Sequence, residues 1–186
     1  MEKISIRQAK FAKIGLIDLI DYIDKMGDKK VKDMRMAEIG SFVGDSTKIF
    51  AERFKEVVSV DPFLNGYDAG DNSSEIWPME DIFKQFNEDV LQKCPNVIHY
   101  HTLSAEGAKL FADGSFDFVY IDGNHLYEFV KLDIQSWLPK IKRPGWIGGH
   151  DYQHKHAPGV KPAVLEMLDG IDQHFRETSW IRRLPC

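Results

Sequence analysis

Apolar positions along this chain change period repeatedly, and each change marks an element. From about Ser5 to Lys25, the residues Ile6, Phe11, Ile14, Leu16, Ile17, Leu19, Ile20 and Ile23 form a broad stripe at helical spacing, which Met26-Gly27-Asp28 ends. Met34 to Ile39 then reads as a strand. Ser46 to Phe54 reads as a helix, with Asp45 or Ser46 as its cap. Glu56 to Val60 is a second strand, closing at Asp61-Pro62. Phe63 to Trp77 breaks the alternation. It holds Asn65-Gly66 and the run Ala69-Gly70-Asp71-Asn72-Ser73-Ser74, with little apolar periodicity, and a loop this long inside a domain suggests a functional segment or disorder. Pro78 to Lys93 returns to helical spacing, Val97 to His101 reads as a third strand, and Ser104 to Phe111 as a short helix. Phe116 to Ile121 is almost wholly apolar, the pattern of a strand buried on both faces of a parallel sheet. Tyr127 to Leu138 is a helix ended by Pro139. Trp146 to Gly149 is a strand after the turn Arg143-Pro144-Gly145. Val160 to Asp172 is a helix, and Ser179 to Leu184 a last strand. Strands alternating with helices predict a doubly wound α/β sheet in a single domain, with ligands at the carboxyl ends of its strands.

Composition narrows this picture without changing it. The 186 residues suffice for one domain with a full core, and 43% are hydrophobic. No apolar run reaches the roughly 18–20 residues of a membrane span, so no membrane partner is expected. The formal charge of −5 disfavours a nucleic-acid partner. Charges throughout the N-terminal segment leave no signal-peptide core, and two cysteines, Cys94 and Cys186, make no disulfide framework. A cytoplasmic location is the expectation.

The candidate chemistry gathers at four places. The first is Glu38-Ile39-Gly40-Ser41-Phe42-Val43-Gly44-Asp45-Ser46-Thr47, a strand end, a glycine turn and a helix start. Gly40 lets backbone approach a ligand, and the N–H groups of the following helix favour an anion. The spacing is Glu-x-Gly-x-x-x-Gly, not the Gly-x-Gly-x-x-Gly of dinucleotide enzymes. Asp61, about 20 residues beyond Gly40, stands where a carboxylate accepts ribose hydroxyls in a βαβ unit; tight packing and a strand-ending turn are the plainer readings of these two features. The second place is Tyr120-Ile121-Asp122-Gly123-Asn124-His125, and the third is Gly148-Gly149-His150-Asp151-Tyr152. Neighbouring strands would bring Asp122 and Asp151 to one rim. With His150, they form a set for a divalent cation such as Mg²⁺, and the further histidines His154 and His156 would suit Zn²⁺ or Fe²⁺, though those two read more simply as solvated loop residues. A metal-free polar loop is the plainer alternative. The fourth place is Leu103-Ser104-Ala105-Glu106, where Ser104 suits a helix cap or an adenine edge, with Phe42 or Phe63 against the adenine face.

Together these segments resemble the class I S-adenosylmethionine-dependent methyltransferases. The nearer resemblance is to the small O-methyltransferases, the catechol-type enzymes and the metal-dependent sugar enzymes of macrolide biosynthesis. Matching residues run from about Met36 to Leu168. The Glu38–Ser46 segment looks like that family's first motif, and Phe116-Asp117-Phe118-Val119-Tyr120-Ile121-Asp122-Gly123-Asn124-His125 like its fourth-strand motif. The resemblance implies a Rossmann-like, mostly parallel, seven-stranded sheet with helices on both faces. The expected ligands are S-adenosyl-L-methionine, a small-molecule acceptor (a sugar or phenol) and a divalent cation such as Mg²⁺, and a homo-oligomer is an open expectation. By the same resemblance, Glu38, Gly40, Ser41 and Gly44 line the methionine end of the cofactor, and Ser46 meets its carboxylate. Asp61 takes the ribose, Ser104 and Ala105 the adenine, and Asp122 lies against cofactor and metal alike. Asp122, His150 and Asp151 are the implied metal ligands, and His125 the base. Two residues depart from the pattern. Tyr152 stands where the catechol-type enzymes keep an asparagine, and His150 where the sugar enzymes tend to place an acid.

Residues 1–30 then form an N-terminal helical extension, serving as a lid or an oligomerisation face, and residues 63–77 a lid loop, with Tyr67 and Trp77 over the acceptor. Phe63, Tyr67, Trp77, Tyr127 and Tyr152 would stand near the mouth. One rival is an NAD-binding oxidoreductase, which the glycine spacing and the want of a well-placed Tyr-x-x-x-Lys pair disfavour. The other is a cofactor-binding subunit without its own catalysis.

Overall fold

The computed structural model describes residues 9–67 and 77–186, with the side chains of residues 9–13 left aside. The expected helix start at Ser5 and the middle of the expected lid, residues 68–76, lie outside the described residues.

Seven strands form one sheet: β1 (Arg35–Ile39), β2 (Glu56–Val60), β3 (Val97–Tyr100), β4 (Phe116–Ile121), β5 (Ile141–Gly149), β6 (Gln173–His174) and β7 (Trp180–Leu184). Their order is β3-β2-β1-β4-β5-β7-β6. The first five run parallel, while β7 pairs antiparallel with β5 and β6. The strand order therefore reverses between β1 and β4, the point where doubly wound sheets open a crevice for ligands.

Among the described residues, six α-helices flank the sheet: α1 (Ala9–Met26), α2 (Asp45–Arg53), α3 (Met79–Phe86), α4 (Ser104–Ala108), α5 (Tyr127–Trp137) and α6 (Val160–Leu168). Because side chains alternate along a strand, the sheet feeds two cores. Met36, Val57, Phe118, Tyr120 and Trp146 pack on one face with Leu19, Ile23, Phe50 and Phe86 of the helices. Ala37, Val58, Val119, Ile121 and Ile147 pack on the other with Val130, Ile134, Trp137 and Val164. All six residues of β4 are buried, as its unbroken apolar run requires.

Five elements differ from the sequence reading. Helix α2 is capped by Gly44, at φ +81, and not by the side chain of Asp45 or Ser46. Asp45 pairs with Lys48 instead. Strand β5 begins at Ile141 and runs through Arg143-Pro144-Gly145, because Ile141 pairs with Phe116 of β4 and Gly145 with Leu184 of β7. Helix α6 stops at Leu168, since Asp169 turns left-handed at φ +55 and Gly170 at φ +110. The chain then adds β6, a two-residue exposed edge strand too short to show a period. The helical spacing from Pro78 to Lys93 becomes α3 followed by a π-helical turn, Asn87–Leu91.

Candidate active site

The carboxyl ends of β2, β1, β4 and β5 are held level by hydrogen bonds that continue each ladder by one residue. Asp61 N–H donates to Tyr100 O, Gly40 N–H to Val60 O, Asp122 N–H to Ile39 O and His150 N–H to Ile121 O, at 2.8–3.3 Å. These four positions carry the predicted chemistry, so the ladder itself builds the rim.

The turn after β1 is shaped by close packing. A Cβ on Gly40, at φ +86, would stand 2.1 Å from Asp122 O, so only glycine lets the ends of β1 and β4 meet. A Cβ on Gly44 would strike Val90 and Phe86. The plainer reading of the glycines, tight packing, thus holds.

Glu38 is fully buried beneath this turn. Its carboxylate accepts hydrogen bonds from Ser41 Oγ at 3.0 Å, Ser46 Oγ at 2.5 Å and Thr47 Oγ1 at 2.5 Å. Burial pushes Glu38 up to about 7 although those three hydroxyls favour the ionised form. Glu38 and Ser46 are therefore spent on each other, and Ser46 reaches a ligand only if its hydroxyl turns away. Ser41 Oγ also meets Ser59 Oγ at 2.7 Å, which meets His99 Nδ1 at 3.0 Å. Thr47 and Ser59 do not stand out in the sequence, because their role depends on contacts between α2, β1 and β2.

Asp61 closes the other side of the turn. Its Oδ2 accepts the N–H of Ser41 at 2.8 Å and of Phe42 at 3.0 Å, and Oδ1 that of Phe63 at 2.8 Å. The predicted ribose carboxylate is thus fixed by three backbone donors beside the Gly40 turn. Phe63 is buried among Phe83, Phe86, His99 and His101, so it is a core residue and leaves the cleft mouth.

Ser104 opens α4 without capping it. Its hydroxyl accepts the Trp137 indole N–H at 2.9 Å and hydrogen-bonds Asp133, which burial raises to about 7. Ser104 Oγ is therefore engaged by Trp137, and Ala105 follows it in the first turn of α4.

Across the switch point, Asp122, His125 and Asp151 bring one ligand atom each within 4.8 Å of one another. His125 Nε2 lies 2.8 Å from Asp151 Oδ2 and 3.8 Å from Asp122 Oδ1. His150 Nδ1 lies 3.2 Å from Asp151 Oδ1 and 4.0 Å from Asp122 Oδ1. The predicted set of Asp122, His150 and Asp151 thus gains His125 at its centre, and His150 borders it. His154 also approaches Asp151, at 3.5 Å, so it is closer to the site than a solvated loop residue need be. Burial alone would lower His150, but its hydrogen bond to Asp151 and the charge of Asp122 push it up to about 9. Burial alone would raise Asp151, but the two imidazoles hold it well below the usual carboxylate range. Tyr152 turns from the mouth into the core against Trp180 and His174. Asn124, unremarked in the sequence, is buried; its amide donates to Tyr67 O at 2.6 Å, and its carbonyl accepts Leu126 N–H at 2.9 Å. Tyr127 and Lys131 stand four residues apart, but both engage Glu166 of α6, so they form no reductase-type pair at the cleft.

A glycine turn over a buried acid at β1, a carboxylate at the end of β2 and a polar rim on β4 and β5, on this sheet order, define a class I S-adenosylmethionine-dependent methyltransferase. The model of the methyltransferase-domain family matches residues 37–152, and the chain belongs to that family. An uncharacterized protein of Acanthamoeba polyphaga mimivirus is 26% identical over 147 residues, 75% of this chain. The chain spans 61% of that relative's length. Among solved structures, the TDP-rhamnose 3'-O-methyltransferase of calicheamicin biosynthesis is 14% identical with a TM-score of 0.60, over 96% of this chain and 81% of that one. Phosphoethanolamine N-methyltransferase 1 of Haemonchus contortus is 13% identical with a TM-score of 0.56, over 97% of this chain and 47% of that one. These two likenesses concern the fold, and the two enzymes are named for different acceptor atoms, oxygen and nitrogen. No helix among the described residues is long and apolar enough to cross a membrane.

Proposed function

We propose that this protein transfers a methyl group from S-adenosylmethionine to a hydroxyl oxygen of a small molecule such as a sugar or phenol. The observation that carries this reading is the Asp122–His125–Asp151 cluster, directly across the switch point from the Gly40 turn and Asp61. When bound, the cofactor supplies an already electrophilic methyl carbon. The chain then has to hold the acceptor oxygen in line and receive its proton. Alignment alone can supply much of the acceleration. Asp61, itself held by the Ser41 and Phe42 N–H groups, takes the ribose side, and the Gly40–Gly44 turn the methionine side. His125 receives the proton, with Asp151 at 2.8 Å stabilising the imidazolium that forms. This step is worth typically ~10²–10⁴-fold.

The donor atoms of Asp122, His125 and Asp151 favour a second reading, in which the three hold a divalent cation. Two carboxylates and one imidazole fit a first-row transition cation such as Mn²⁺, Fe²⁺ or Zn²⁺ better than Mg²⁺, which prefers oxygen ligands. Such a cation would lower the pKa of a hydroxyl bound to it. Turnover of a panel of sugar and phenol acceptors, with and without EDTA, separates the two. Loss of rate on chelation, restored by Mn²⁺ and not by Mg²⁺, supports the cation. Insensitivity to EDTA leaves the His125 base. Asp122→Ala and His125→Ala are each expected to lower turnover at least ~100-fold, in line with the loss of a proton acceptor. Wild-type rates in both variants would sink the assignment. A small acceptor also fits the acidic net charge of −5, which offers nothing to a phosphate backbone.

A further inference from the structure

We propose that helix α1 sets the position of the Asp151 carboxylate through the segment Arg176–Thr178, and that Glu177 is a positioning residue for methyl transfer; this rests on the reading of Asp151 as part of the reacting site. Asp151 sits at φ +59, in the left-handed region, which aspartate tolerates better than most residues. Its corner is also held from outside. Tyr152 N–H donates to Thr178 O at 3.1 Å, and Trp180 Nε1–H to His150 O at 3.2 Å. Thr178 Oγ1 donates to Glu177 O at 2.6 Å and stands 3.4 Å from Asp151 Oδ1.

The holding segment is itself in an unfavourable conformation. Glu177 and Thr178 are consecutive left-handed residues at φ +57 and +68, and neither is glycine. Residues kept in such a region persist only where their surroundings over-determine them. Helix α1 provides those surroundings. Gly15 N–H reaches Glu177 Oε2 at 3.1 Å. A Cβ on Gly15 would fall 1.9 Å from Arg176 O, so the helix lies directly against this backbone. The Arg176 guanidinium grips Asp18 through Nε at 3.1 Å and Nη2 at 2.8 Å. Tyr22 meets Phe175 edge-on, with ring centroids 5.6 Å apart. An unbroken run of contacts thus leads from α1 to the carboxylate that His125 and His150 share, while the Glu38–Asp61 cradle takes no part in it.

Glycine is at ease in the left-handed region, so Glu177→Gly removes the link to Gly15 and relieves local strain at once. Gly15→Ala forces α1 off the Arg176 carbonyl. Glu177→Gln keeps an oxygen that accepts the Gly15 N–H. In full-length protein, the imidazole NMR signals of His125 and His150 report on Asp151, because both rings contact it. S-adenosylhomocysteine affinity, by calorimetry, reports on the cradle. Glu177→Gly and Gly15→Ala should shift both sets of ring signals while the dissociation constant stays within about twofold of wild type. Glu177→Gln should keep the wild-type spectrum. Unmoved ring signals in folded Glu177→Gly would overturn the proposal, as would parallel losses of melting temperature and S-adenosylhomocysteine affinity, the mark of a merely structural contact. Wild type that fails to bind S-adenosylhomocysteine would overturn the methyltransferase activity instead, and the ring signals would still decide the role of α1.

Discussion

Two buried acids, Asp133 and Glu38, give this protein a stability that depends on pH in a definite direction. Burial raises Asp133 from 3.8 to about 7, against the hydrogen bond from Ser104. Between those values the folded state binds the proton more tightly than the unfolded state does. The stabilisation by the neutral acid is therefore complete below about 3.8 and is lost as pH climbs to about 7. Glu38 adds to the same fall between 4.5 and about 7. Asp151 acts oppositely, because its pKa is lowered and its contribution disappears as acid is added. Asp133→Asn isolates one of these effects. Relative to this variant, wild type should lose stability between pH 4 and pH 7, by roughly 1.4 kcal/mol per unit of pKa shift as an upper figure. Urea unfolding across that range measures it, and a constant difference between the two proteins would refute it. Ser104→Ala is a second test. It strands the buried Trp137 indole N–H and should cost roughly 1–3 kcal/mol. The identities of Glu38, Asp61, Asp122 and Asp151 were legible as acids at strand ends. Their partners were not, because Ser59 and Thr47, or Thr178 and Asp151, meet only once β1, β2, α2 and the 175–180 segment are folded together.

Strand β2 has the bounds its apolar run predicts, as does β4, and β1 differs by one residue. Continuous burial on both faces leaves a strong pattern, so these were the elements sequence showed best. Caps and edges were poorly legible. Gly44 caps α2 because the Glu38 carboxylate draws in the Ser46 hydroxyl, a competition that spacing does not reveal. Strand β5 continues through Pro144 because β7 lies beside it, and β6 has only two residues. The turn joining β1 to α2 makes its own prediction. Gly40→Ala places a methyl group against Asp122 O in a backbone conformation that L-residues resist. It should destabilise the fold by at least about 2 kcal/mol and weaken cofactor binding with it. Denaturant unfolding beside calorimetry checks this, and a variant of wild-type stability would show that the β1 and β4 ends do not meet so closely.

Taken whole, the molecule divides its labour across the reversal in strand order. Strands β1 and β2 end in backbone donors, hydroxyls and two carboxylates, Glu38 and Asp61. Strands β4 and β5 end in carboxylates and imidazoles suited to proton transfer or a cation. That division was legible from Glu38, Asp61, Asp122 and Asp151 together with the alternation of elements. The central place of His125 between two carboxylates was not, since residues 125 and 151 become neighbours only through the pairing of β4 with β5. Nor was the docking of α1 on the 175–180 segment, which joins residues 158–162 positions apart. The most direct measurement is calorimetric titration with S-adenosylhomocysteine and, separately, NAD⁺. Wild type should bind S-adenosylhomocysteine one-to-one and give no saturable heat with NAD⁺, and Asp61→Ala should weaken that binding at least about tenfold, or 1.4 kcal/mol. Binding of NAD⁺ in preference to S-adenosylhomocysteine, or an Asp61→Ala variant that binds as wild type does, would contradict it.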